Sequence, residues 1–129
     1  MNKLALVLSA VFLSALAQPS PLFMGKAAAP RGGPPRLEGM DYLHARRIIL
    51  GYGWQPVTGP CSGVTRSECA SFPEIDACSC CEQAPCGMFF RKRNWCLIVG
   101  TSGGPPIVGQ SDSQVTDVYF RRGRCSKPR

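Results

Sequence analysis

The chain has 129 residues, 44% of them hydrophobic, with fifteen Lys and Arg against eight Asp and Glu, eight cysteines and a single histidine. The stretch between the N-terminal segment and the last cysteine holds about ninety residues, enough for one small domain and too few for two cores. The sequence has no cofactor loop, no catalytic constellation and no complete nucleic-acid motif, and His44 has no second imidazole to work with.

Met1-Asn2-Lys3 gives a short positive start, and Leu4 to Ala17 is apolar apart from Ser9 and Ser14. Ala15-Leu16-Ala17 then places small residues where a signal peptidase reads them, so residues 1–17 are expected to be an export signal cut after Ala17. Gly25-Lys26-Ala27 offers a second cut. The apolar run is shorter than the roughly 20 residues that span a bilayer, so no stable membrane span is expected after cleavage. Residues 18–36 are rich in Pro, Gly and Ala without periodicity and are expected to form a tether. The disulfide-rich domain is placed at 37–126 and a basic tail at 127–129.

Asp41 through Leu50 predicts a helix. The Asp41 carboxylate can cap it, while Tyr42, Ala45 and Ile49, and again Leu43, Arg46 and Leu50, recur at helical spacing. Gly51 and Gly53 end it. The segment 53–57 reads as extended, and Pro56 confines it to an edge. Residues 58–85 read as a turn-rich, cysteine-rich middle. Strands are expected at 88–91 and 95–99 around a cationic turn, Lys92-Arg93-Asn94, and at 115–120, where Val118 and Phe120 share a face. The predicted class is α+β: one N-terminal helix packed on a small, mostly antiparallel, disulfide-stapled sheet.

Cys61, Cys69, Cys78, Cys80, Cys81, Cys86, Cys96 and Cys125 are an even set, which predicts four disulfides among on the order of a hundred connectivities. Cys61 with Cys69 and Cys78 with Cys86 close short loops and are preferred. Cys80 and Cys81 are expected to diverge, because neighbours in an extended segment point to opposite faces. Cys96 and Cys125 are natural ends for the remaining bridges. Each bridge is worth roughly 2–4 kcal/mol through restriction of the unfolded chain. The alternative is thiolate metal binding by Cys78, Cys80, Cys81 and Cys86. The spacing lacks the usual two intervening residues and His44 is distant, so disulfides outweigh metal in an oxidising compartment, and no cofactor is predicted.

Removing Lys3 with the leader leaves fourteen basic residues against eight acids. Arg91, Lys92, Arg93, Trp95, Arg121 and Arg122 form the candidate binding surface, since cations beside aromatic rings can grip an anionic polymer. The plainer alternative is aromatics in the core with cations on a solvated face. Catalytic candidates are sparse. His44 stands without a triad, and Glu74 with Asp76 fits turn formation or charge balance against arginines better than acid–base work.

The run Ala45-Arg46-Arg47-Ile48-Ile49-Leu50-Gly51-Tyr52-Gly53-Trp54-Gln55-Pro56-Val57, followed by Cys61, Cys69, Phe72-Pro73-Glu74-Ile75 and Cys78, resembles short exported bacterial proteins of unassigned activity. The likeness covers roughly residues 40 to 100 and implies an envelope or secreted setting with an α+β domain. The helix and Gly-Trp-x-Pro segment are also similar to the start of a PASTA repeat, which implies a cell-wall ligand, although PASTA repeats lack this cysteine load. Two functions follow as expectations. One is a secreted or periplasmic non-enzymatic binding or inhibitory module with an envelope partner. The other is a cationic effector that contacts anionic cell-surface polymers, membranes or nucleic acid.

Overall fold

The computed structural model describes residues 30–110 and 112–125. The expected export signal, residues 18–29 of the expected tether, both cleavage positions and the basic tail 127–129 lie outside the described residues.

Helix α1 covers Tyr42–Gly51. Asp41 starts it by accepting from the amides of Leu43 at 3.3 Å and His44 at 2.9 Å, which satisfies two of the orphan donors of the first turn. Gly53, at φ 84°, turns the chain out of the helix. That turn drops Trp54 into the core, where it is 1% exposed and lies 5.8 Å from the Phe120 ring.

The sheet consists of β1 (Gln55–Pro56), β2 (Ile75–Cys78), β3 (Cys86–Lys92), β4 (Trp95–Ser102) and β5 (Gln114–Arg122). Its order is β1-β3-β4-β5, and β2 pairs with the opposite end of β3 from β1. All these pairings are antiparallel. Pro56 therefore sits on an edge strand, as its missing N–H requires. Alternation along β3, β4 and β5 turns Met88, Phe90, Leu97, Val99, Val115 and Val118 toward the core, against Tyr42, Ala45 and Ile49 of α1. A register shift between Gly100 and Thr101 inserts Thr116 into β5 as an extra residue. It keeps Val115 and Val118 on the same buried face on either side of the shift.

α1 is not strictly N-terminal, because a folded segment precedes it. Leu37 is fully buried, Gly39 N donates to Val115 O, and Val115 N donates to Met40 O. A second helix, α2 (Arg66–Ser71), lies inside the stretch expected to be only turns. Thr65 and Glu68 cap it reciprocally, each side chain accepting from the other's backbone amide. The cationic turn is tighter than expected. Lys92 pairs with Trp95, which leaves Arg93-Asn94 as a two-residue connection with Arg93 at φ 55°.

Three disulfides staple this frame: Cys61–Cys69, Cys78–Cys86 and Cys96–Cys125. The first ties the 59–63 loop to α2, and the second joins directly opposed residues of β2 and β3. The expectation for Cys80 and Cys81 is corrected. Neither bonds to another cysteine, and their sulfurs converge to 2.9 Å instead of diverging. Cys81 is left-handed, at φ 72°, so the alternation of an extended chain does not apply to it.

Gly63 shows how closely the loop lies on β2. It sits at φ 78°, and a Cβ there would fall 2.1 Å from the Cys78 carbonyl oxygen, where the Ser62 carbonyl already accepts from Cys78 N at 2.8 Å. Gly63→Ala is expected to cost about 1–3 kcal/mol in denaturant unfolding. Gly51→Ala, at the end of α1 with open space around its Cβ, is expected to be neutral or slightly stabilising.

Candidate functional site

Antiparallel register brings the six residues of the expected binding surface to one end of the sheet. Directly opposed residues share a face. The row Lys92–Trp95–Arg122 therefore continues the inner face beyond the core, while the row Arg91–Cys96–Arg121 lies on the outer face. Arg93 caps the turn between them. The surface is thus one end of the sheet carrying cations on both faces.

Each face is held by particular contacts. On the inner face Lys92 Nζ donates to the Tyr52 carbonyl at 2.6 Å, fixing the hairpin to the exit of α1. The Arg122 guanidinium lies 5.0 Å from the centre of the Trp95 ring, within cation–π range. On the outer face Arg121 Nη2 donates to the Arg124 carbonyl at 2.9 Å, and the Cys96–Cys125 bridge anchors the chain just after it.

Three clefts surround this end. An inner one of about 350 Å³ is lined by Arg31, Trp54, Lys92, Arg93, Asn94 and Trp95, among others. An outer one of about 460 Å³ is lined by Val57, Arg91, Arg93, Asn94, Arg124 and neighbours. A third, of about 360 Å³, runs along the edge past Gly53, Gln55, Arg91, Lys92 and Arg93. Arg93 lines all three, and no carboxylate lines any of them. Arg36 pairs with Glu38, and Arg46 with the buried Glu74. The indole N–H of Trp54 is buried without an acceptor among the described residues, and Trp54 forms part of the wall of the inner cleft. Trp54, Arg31 and Arg124 join the six residues expected from the sequence. The Gly53-Trp54 step after a helix was the available signal for the first.

Of the catalytic candidates, Glu74 is the one occupied structurally. His44 is exposed on α1. Glu74 is fully buried; its Oε1 accepts from Tyr42 Oη at 2.7 Å and from Arg46 Nε at 2.5 Å, and its Oε2 from Arg46 Nη2 at 3.4 Å. Charge balance against an arginine is therefore the role of Glu74. Its place in the core was not legible from its loop-like neighbours. Burial, then the charge and hydrogen bond of Glu74, push the Tyr42 hydroxyl well above the ordinary tyrosine value. Cys78 and Cys86, two of the four ligands in the metal alternative, are spent on each other.

Family models, curated proteins and solved structures give no match to the chain, so the functional reading rests on this geometry.

Proposed function

We propose that the chain is an exported, non-enzymatic binding module that holds an anionic cell-surface polymer at the hairpin end of its sheet. The observation that carries the reading is the set of three clefts around Arg91–Trp95, lined by Arg31, Arg91, Lys92, Arg93 and Arg124 and by no carboxylate. A chain of anionic groups lying across the end of the hairpin would meet cations on both faces of the sheet, with Trp54 and Trp95 in the wall of the inner cleft. The three disulfides support an oxidising destination. The Cys96–Cys125 bridge also holds Arg124 beside the hairpin before binding, which lowers the ordering entropy lost on association.

The test is binding to a heparin fragment as model polyanion, followed as a function of salt. Arg91→Gln/Arg93→Gln is expected to weaken binding and to flatten the salt dependence by about one unit of slope per contact removed, by the counterion-release rule. Arg47→Gln/Arg66→Gln, at exposed positions on α1 and α2, is the charge-matched control and should bind like the parent. Equal binding by all three proteins would remove the hairpin end as the site.

A further inference from the structure

The most unusual covalent arrangement lies at the other end of β3. The loop 79–85 is closed at its base by the Cys78–Cys86 bridge and by Ser79 N donating to Pro85 O at 2.9 Å. Its far side is clamped where Gly103 N donates to Gln83 O at 2.7 Å and Gly104 N to Ala84 O at 3.1 Å. Between these fastenings Cys81, Gln83 and Ala84 are all left-handed, at φ 72°, 51° and 35°, an arrangement that non-glycine residues adopt only when their surroundings impose it. Its outcome is that two adjacent, exposed sulfurs meet at 2.9 Å, inside van der Waals contact. The other six cysteines are bonded in three pairs.

We propose that Cys80 and Cys81 form a vicinal disulfide that exchanges with thiols and disulfides in solution, making the 79–85 loop a reversible redox site. In the oxidising direction one cysteine thiolate attacks a low-molecular-weight disulfide, RSSR, and expels RS⁻, leaving a mixed disulfide. The neighbouring thiolate attacks the cysteine sulfur of that mixed bond, closes the Cys80–Cys81 bond and expels the second RS⁻. Both cysteine sulfurs are oxidised, one RSSR is reduced, and the two cysteine protons leave on two RSH. A free thiol runs the same steps backwards.

Two features separate this pair from the other three. Thiol–disulfide exchange needs the attacking thiolate to reach a sulfur. Cys80 and Cys81 are exposed, whereas Cys78, Cys86 and Cys96 are buried and Cys61, Cys69 and Cys125 half-buried. Neighbouring Cα atoms are also only about 3.8 Å apart, closer than the 4.1, 5.2 and 5.7 Å of the other three bridges, and closing a bond between adjacent residues is strained, which makes it more easily reduced. The hydrogen bond to Cys80 pushes the Cys81 thiol up, which fits a proton shared between the two sulfurs in the reduced form. Because the base and the clamp hold the rest of the loop, reduction alters its tip and spares the framework.

The full exported chain, equilibrated in glutathione buffers of increasing reducing strength, is blocked with N-ethylmaleimide in denaturant and mapped by peptide mass. Without reductant no cysteine should be alkylated. Cys80 and Cys81 should then open together, at a glutathione concentration about tenfold or more below that needed for the other six. Cys80→Ser/Cys81→Ser should keep the parent unfolding midpoint and lose only this first step. The proposal is overturned if the two residues are alkylated in the unreduced exported chain, are joined to other cysteines, or open only together with the rest. Loss of the remaining bridges in the serine variant would also overturn it, by making the pair part of the framework.

Discussion

Arg46→Met is expected to destabilise the domain by about 3–5 kcal/mol, because it leaves the buried Glu74 carboxylate without its cation. The Glu74 side chain has no exposed surface, while that of Arg46 is 24% exposed, so water can reach the guanidinium but not the acid. The same acid holds Tyr42, and Arg46 lies 5.5 Å from the centre of the Phe72 ring, which meets Tyr42 edge-on at 6.2 Å. The cluster ties α1 to the turn that leads into β2, and Phe89 N donating to Glu74 O at 3.0 Å carries the tie on to β3. Arg46→Met/Glu74→Leu/Tyr42→Phe removes both charges and the hydroxyl, and should recover most of the loss. Urea unfolding with an unchanged m-value is the measurement. A loss below about 1 kcal/mol for Arg46→Met would mean that the pair behaves as a surface ion pair. Tyr42 adds a pH signature. Its proton is held more tightly in the native state than in the unfolded chain, so its contribution is complete below the ordinary value of 10.0 and is lost as pH rises from there toward the raised native value. Tyr42→Phe should remove that share of the alkaline loss.

Removing the Cys96–Cys125 bridge with paired alanines is expected to cost about 3.6 kcal/mol, against about 2.5 kcal/mol for Cys61–Cys69. The two bridges close separations of 29 and 8 residues, and the restriction of the unfolded chain grows with the logarithm of that length. The longer bridge also supports the proposed site. It fixes Cys125 and hence Arg124, which lines the outer cleft with Arg91 and Arg93. Its loss should weaken polyanion binding, whereas loss of Cys61–Cys69 at the remote end should not. If the two stability losses come in the reverse order, the bridges act mainly through the native state.

Local signals were legible where one short-range rule decided the outcome. Asp41 with the spacing of Tyr42, Ala45 and Ile49 located α1, and alternation placed Val118 and Phe120 on one face of β5. Cys61–Cys69 and Cys78–Cys86 followed from short loops. What escaped was set by contacts distant in sequence. β2 is four residues long, with burial running through both of its ends, and it pairs with β3 across the 79–85 loop. Glu74 is buried because Tyr42 and Arg46, 32 and 28 residues away, converge on it. α2 could have been found, since Thr65 and Glu68 stand at capping-box spacing, but the density of cysteines and turn residues around it masked the signal. Charge and aromatic content mark the six surface residues in the sequence. Their division between two faces of the sheet, and the addition of Trp54, Arg31 and Arg124, came only with the register of β3, β4 and β5 and the turn after α1.

Titration of a heparin fragment into isotopically labelled protein, followed by backbone and indole chemical shifts, tests binding through the hairpin end residue by residue. The largest shifts should fall on Arg91–Trp95, Arg124 and the Trp54 indole N–H, with the 79–85 loop and α2 unmoved. Shifts concentrated on the 79–85 loop or on α2, with the Trp54 indole unchanged, would contradict it.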